Sequence, residues 1–268
     1  MKNFTRILAA VLVAVMGLVC FAACTTDAPA TTPATTGTAT TEPTSKPVLK
    51  MGTNAYFPPY EFYEGEKIVG IDAEIAAAIA EKLGMELEIV DMSFDSILSA
   101  VNAGTVDFGM AGMTITNDRL LEVDFSNSYA KGVQSIIVKE GSAITTAADL
   151  SAEGATYKVG VQLGTTGDIY ASDEFGEERV TQYTTGNEAV AALIKGDVDC
   201  VIIDNEPAKS YVNANEGIKT LETSYADEDY AICVKKGNSE LLEKINTAIY
   251  ELTKDGTVEN IVNKYISK

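Results

Sequence analysis

Three short stretches carry side chains whose chemistry stands out from their surroundings. The first is the run from Thr114 to Arg119, TITNDR, which holds one of only three arginines in the chain. Thr116 or Asn117 is placed to cap a helix there, and Arg119 then falls in its first turn. A cation at that end opposes the helix macrodipole, so helix stability does not account for it. The guanidinium suits a bidentate grip on a carboxylate, reinforced by the amide and hydroxyl of Thr114. The competing reading is a surface ion pair with Glu122 or Asp124. The second stretch is Gly164-Thr165-Thr166, which follows an apolar run and opens a helical pattern. Backbone N–H groups at a helix start bind anions, which makes Thr166 a donor candidate. The third is Asp204, at the end of the apolar run VDCVIID, where a loop-capping Asp is common. The chain contains no His, which removes His-based metal sites, imidazole-dependent triads and the usual neutral-pH general base. These residues point to recognition of a small charged molecule.

The elements that position them follow from the hydrophobic pattern. From Val48 onward, β-rich runs alternate with helical patterns: VLKMGT, a helix from about Asp72 to Leu83, ELEIV, a helix from about Phe94 to Ala103, then VDFGMAG. Such alternation predicts an α/β protein with mostly parallel sheets flanked by helices. In the first helix Ile71, Ile75, Ile79 and Leu83 recur at four-residue spacing, with Asp72 as the N-cap candidate and Gly84 at the exit. An internal echo suggests two similar lobes: NAGTVDFGMAG (102–112) and IKGDVDCVIID (194–204) each run from a helix end through Gly and Val-Asp into an apolar strand. Gly104 and Gly196 correspond, and the same offset from each reaches Gly112 and Asp204. Both then lie at the carboxyl end of a strand, where open α/β sheets bind ligands.

Composition limits the function classes. With 20 Lys+Arg against 39 Asp+Glu, the chain has a formal charge of −19, which argues against a nucleic-acid binder. At 46% hydrophobic and 22% charged among 268 residues it is ordinary globular material. Lys2 and Arg6 precede an uncharged run from Ile7 to Ala23, which reads as a signal peptide, with an uncleaved membrane anchor as the alternative. Phe-Ala-Ala-Cys at 21–24 resembles the lipobox of bacterial lipoproteins and implies lipidation of Cys24. Residues 24–47 then form a Thr/Pro-rich linker with a reach of about 25 to 30 Å. Cys200 and Cys233 remain, as a disulfide or as two buried thiols.

Six segments appear in an order that resembles one family: MGTNAYFPPYEF (51–62), VGIDAEIAAAIAEKLG (69–84), AGMTITNDRLLEVDFSNSY (111–129), VGVQLGTTGD (159–168), DVDCVIIDNE (197–206) and KDGTVENIVNKY (254–265). Together they are similar to the polar amino-acid-binding proteins of ATP-binding-cassette importers, solute-binding protein family 3. The resemblance covers essentially everything after Val48, and TITNDR is its most specific part. It implies the two-lobed periplasmic binding protein type II fold with two hinge strands, near Ala130–Gln134 and Asp227–Ala231. One lobe would span 48–133 plus 229–268 and the other 134–228.

The resemblance also implies an extracytoplasmic, lipid-anchored monomer that captures a free L-amino acid and delivers it to an ABC permease, without metal or cofactor. It implies that Arg119, Thr114 and Thr166 hold the ligand's carboxylate, and that Asp204 and the Gly112 carbonyl hold its ammonium. Phe57, Phe94, Asn54 and Gln162, with Tyr56 and Glu61 nearby, would line the side-chain pocket, although either aromatic also reads as core packing. None of these pocket residues is cationic, so a polar or basic ligand is expected over an acidic one; glutamine-like ligands lead slightly over arginine or lysine, because the Asp expected for a basic side chain is Asn at position 54. Two other readings belong to the same fold: a cyclohexadienyl dehydratase-like enzyme using Glu61 or Glu206, and a sensory ligand-binding component.

Overall fold

The structure is a computed structural model that describes residues 46–221 and 225–266. The proposed signal peptide, Cys24 and nearly all of the linker lie outside the described residues. β1 (Val48–Thr53) leads through a small antiparallel sheet of β2 (Tyr56–Phe57), β3 (Glu61–Glu64) and β4 (Lys67–Val69) into α1 (Ile71–Lys82). Next come β5 (Glu86–Asp91), a 3-10 turn at Phe94–Ser96, α2 (Ile97–Ala103), β6 (Phe108–Gly109), α3 (Asn117–Glu122) and β7 (Val123–Phe125). The long β8 (Ala130–Lys139) enters a second sheet with β9 (Val159–Gln162), α4 (Thr166–Phe175), β10 (Val180–Tyr183), α5 (Gly186–Lys195), β11 (Cys200–Asp204), α6 (Asn205–Ala214) and β12 (Ile218–Thr220). β13 (Ala226–Tyr230) then returns the chain to β14 (Cys233–Lys235), α7 (Ser239–Lys254) and α8 (Thr257–Tyr265).

The two large sheets have the same plan. Their orders are β5-β1-β6-β14-β7 and β10-β9-β11-β8-β12. In each, three parallel strands are followed by a fourth that runs antiparallel to them and a fifth that is antiparallel to the fourth. The sheets are therefore less parallel than the alternation alone suggests. The sequence echo has a structural counterpart at its glycines, since Gly104 (φ 75°) and Gly196 (φ 94°) both end helices in the left-handed conformation. It extends to the Val-Asp pair. The Asp107 carboxylate accepts from Lys50 N at 2.7 Å and the Asp199 carboxylate accepts from Lys158 N at 2.7 Å, each pinning the third parallel strand to the start of the first.

β8 and β13 pair antiparallel from Ala226 opposite Gln134 to Tyr230 opposite Ala130, close to the two hinge segments expected from the sequence. Gly132 allows this close approach, because a Cβ there would sit 2.4 Å from the Tyr230 ring. Ile136, Ile137 and Val138 further along β8 are fully buried. Ile136 and Val138 pack into one hydrophobic cluster and Ile137 into the other, so this part of β8 is held on both faces of its sheet.

α1 begins one residue before the expected start, and its N-cap is Gly70, not Asp72. Gly70 has φ +127°, and a Cβ would lie 2.2 Å from the Tyr60 carbonyl oxygen; only glycine fits there. Ile71, Ile75 and Ile79 are buried as their spacing requires, and Gly84 leaves the helix with φ +69°. Cys200 and Cys233 sit on different sheets as buried free thiols, and burial pushes both up to about 12. Among the described residues no helix is long and apolar enough to cross a membrane.

Candidate functional site

Strand ends and helix starts from both sheets meet around one cavity. Asn54, Phe57, Phe94, Gly112, Thr114, Arg119, Gln162, Thr166 and Asp204 all line it. The gaps among the lining side chains, together with the mouth open to solvent, amount to about 440 Å³. Asn54 follows β1, Gln162 ends β9 and Asp204 ends β11, so these three lie at carboxyl ends of parallel strands.

Arg119 is buried in the wall of this cavity. Thr116 caps α3 by accepting from Arg119 N at 3.2 Å, which settles the choice between Thr116 and Asn117. The guanidinium donates from Nη1 to the Thr114 carbonyl at 2.7 Å and from Nη2 to the Gly164 carbonyl at 2.9 Å, and lies 5.3 Å from the centre of the Phe94 ring. It makes no ion pair with Glu122 or Asp124; Asp124 pairs with Lys236. Two of its five N–H donors are used on carbonyls, which leaves three for a ligand. Burial lowers its pKa, and the nearby Glu228 opposes that shift most strongly.

Opposite lies an acidic cluster. Gln134 Nε2 donates to Asp204 Oδ2 at 2.7 Å and to Glu228 Oε2 at 3.0 Å. Tyr230 donates its hydroxyl proton to Asp204 Oδ1, and Thr114 donates to Glu228 Oε2 at 2.9 Å. Burial, and then the neighbouring Glu228, push Asp204 well above the usual carboxylate range. Glu61 is fully buried at the cavity wall with no hydrogen-bond donor to either oxygen. Burial and then Asp72 push its carboxyl well above the usual range.

Gly112 has φ +54°, and a Cβ would fall 2.7 Å from Cε1 of Phe57. The aromatic ring therefore lies flush with the backbone of the loop. Gly112 N donates to Asp72 Oδ2 at 2.8 Å, as does Tyr129 OH at 2.8 Å. Asp72, read from the sequence as a helix cap, thus supports the cavity floor.

Besides the bonds of Tyr230 to Asp204 and of Thr114 to Glu228, contacts that join the two sides of the cavity include Arg119 to Gly164, Gln162 Nε2 to Asn54 Oδ1 at 2.9 Å, and Tyr211 OH to the Tyr56 carbonyl at 2.7 Å. At the start of α4, Thr165 caps the helix by accepting from Asp168 N at 3.3 Å. Thr166 is its buried first residue. Lys131 is exposed and pairs with Asp229 at 2.5 Å, so it brings no cation to the cavity. Gln134, Glu228 and Asp72 were not identified as site residues from the sequence. The alternation in ADEDYAIC was the available signal for Glu228, since a two-residue period that turns Tyr230 inward turns Glu228 inward with it, and a buried carboxylate needs a partner.

A model of the bacterial extracellular solute-binding proteins, family 3, matches residues 49–268. The chain is 35% identical over 228 residues to the arginine-binding extracellular protein ArtP of Bacillus subtilis (strain 168), across 82% of this chain and 86% of that protein. An ancestral arginine-binding protein bound to glutamine is similar in structure with a TM-score of 0.78 at 41% identity, covering 83% of this chain and 99% of that one. An ancestral arginine-binding protein bound to arginine has a TM-score of 0.77 at 42% identity, with coverage of 83% and 99%.

Proposed function

Because the chain belongs to the bacterial extracellular solute-binding proteins, family 3, we propose that it is the receptor of an amino-acid importer, taking a polar or basic L-amino acid between its lobes for delivery to an ABC permease. The α-carboxylate lies against the three remaining donors of Arg119, with the N–H groups of Thr114 and Thr166. The ammonium lies against Asp204 and the Gly112 carbonyl. The side chain runs between Phe57 and Phe94 toward Asn54, Gln162 and Glu61. The lobes divide at 48–133 plus 229–268 and at 134–228, with β8 and β13 as the hinge. The protein is held to the outer face of the membrane through lipid on Cys24.

The charge inventory of the cavity carries the ligand class. One buried guanidinium faces Glu61 and Asp204, and the Glu61 oxygens have no donor among the described residues. A second carboxylate on the ligand would enter without a counter-charge, at a desolvation cost of several kcal/mol. A guanidinium supplies the donors Glu61 lacks, which weighs toward arginine over glutamine. The similarity to arginine-binding proteins supports the same ordering.

Calorimetry with arginine, lysine, glutamine and glutamate tests this directly. Arginine at 100 times its dissociation constant should stabilise the protein by about 2.7 kcal/mol. Glutamate binding more tightly than both arginine and glutamine would overturn the ligand class. A buried acid of raised pKa is also what a dehydratase would need, so release of aromatic product from prephenate or arogenate would replace the receptor reading with an enzymatic one.

A further inference from the structure

Glu61 lines the cavity, and its carboxyl lies within hydrogen-bonding reach of the Asp72 carboxyl behind it. Both are fully buried. Their four oxygens share only two donors, Gly112 N and Tyr129 OH, and both of these go to Asp72 Oδ2. Asp72 Oδ1 and both Glu61 oxygens have none. Two anions so placed would leave three acceptors desolvated and unpaired while repelling each other. One proton relieves both problems. With two donors on Oδ2, Asp72 is the better anion; a proton on Glu61 then gives Asp72 Oδ1 its missing donor. The remaining groups that act on the pair are Tyr60, Tyr211, Asp91 and Asp204, none of them a cation.

We propose that Glu61 and Asp72 together hold one proton in the ligand-free protein, and that this proton leaves to solvent when a cationic side chain enters, so that the pair selects between guanidinium and carboxamide ligands according to pH. The inference rests on the amino-acid receptor reading and deepens it. Neutral Glu61, its proton directed at Asp72, accepts a carboxamide N–H on its other oxygen. Ionised Glu61 accepts from a guanidinium. Glu61 is thus the specificity residue and Asp72 a positioning residue that acts through it. The direction follows from linkage: a ligand that expels a proton binds better as the proton becomes easier to lose, and arginine affinity rises with pH while glutamine affinity does not.

Support is carried by the Phe57 side of the cavity as well. Asp72 holds the Gly112 backbone on which Phe57 lies, and α1 carries Asp72 on the buried face that Ile71, Ile75 and Ile79 define. The pair is therefore fixed by the same packing that shapes the pocket.

The test is isothermal calorimetry of arginine and glutamine between pH 5 and pH 8 (about the range in which the fold is expected to persist), in two buffers of different ionisation enthalpy. For the wild type, arginine affinity should climb by up to about tenfold per pH unit with up to one proton released, and glutamine affinity should stay level. Glu61→Gln should bind glutamine, bind arginine more weakly and lose the pH dependence. Asp72→Asn removes the neighbouring anion and should move the arginine transition to lower pH, which a purely structural role would not do. Infrared spectra of the ligand-free protein give a readout that needs no ligand: a protonated-carboxyl band at neutral pH that persists in Asp204→Asn and is lost in Glu61→Gln. Parallel pH profiles for the two ligands, or absence of that band in the wild type, would overturn the proposal. Failure of both amino acids to bind with the band present would refute the receptor reading alone and support the shared proton.

Discussion

Replacing Arg119 by Met separates the role of gripping a ligand from that of holding the fold. Met fills much of the same space and keeps contact with the Phe94 ring, but it removes the charge and the donors to Thr114 O and Gly164 O. In the ligand-free protein those losses are partly offset, because a buried guanidinium without a carboxylate in contact carries a desolvation cost. Each lost hydrogen bond from a charged donor is worth about 1.5 to 3 kcal/mol before that relief. The net change in stability should therefore stay within about 2 kcal/mol, or a shift in Tm under about 8 °C for a chain of this size. Binding should respond quite differently. A ligand carboxylate buried beside Met loses its partner, at about 2 to 5 kcal/mol, which is roughly 30-fold to a few thousandfold in Kd.

The assay is a double-mutant cycle by calorimetry, with wild type and Arg119→Met against arginine and against agmatine, which lacks the α-carboxylate. Removing the carboxylate should weaken wild-type binding about as much as removing Arg119, and the variant should discriminate little between the two ligands. A folded Arg119→Met protein that binds arginine within about threefold of wild type would refute the argument. So would equal discrimination against agmatine in both proteins.

Gly112→Ala should cost about 2 to 5 kcal/mol of stability, from left-handed strain and overlap with the Phe57 ring, measured by denaturant unfolding. Tyr211→Phe removes the bond to Tyr56 O outside the ligand cavity; it should weaken all ligands by the same factor, about twofold to tenfold, and small-angle scattering should show a more open ligand-free form. At neutral pH the pair holds one proton, on Glu61; Asp72, pushed up to about 6 by burial, takes a second one in the folded state below that pH, which the unfolded chain releases. Its contribution should therefore make the ligand-free protein lose up to about 3 kcal/mol as pH rises from about 4 to about 6, and Asp72→Asn should flatten that part of the Tm profile. Cys24→Ser should release the protein from membranes or leave its signal uncleaved, and intact-mass analysis finding a different mature terminus without lipid would refute the anchor.

Local pattern alone determined the alternation of strands and helices, the Gly104 and Gly196 helix ends, and the oddity of a cation in the first turn of α3, because each depends on residues within about one helical turn. Of the nine pocket candidates, Gly112, Thr114, Arg119, Thr166 and Asp204 stood out by local chemistry and position, and Asn54, Phe57, Phe94 and Gln162 came from matching motifs; the tertiary structure brings all nine to one cavity. What the sequence left open was settled by contacts between distant segments. Asp72 reads as a cap because Asp at a helix start accepts backbone N–H groups. Here, Gly112 N and Tyr129 OH, 40 and 57 residues away, take that acceptor instead. Cys200 and Cys233 sit in similar apolar runs, and only the assignment of those runs to separate sheets keeps the thiols apart. Glu228 looks like one acid among several in ADEDYAIC; the antiparallel register of β13 on β8 turns it toward Gln134 and Thr114. A two-residue side-chain period fixes which positions share a face, but the choice of face, and of the groups met there, belongs to strand register and packing.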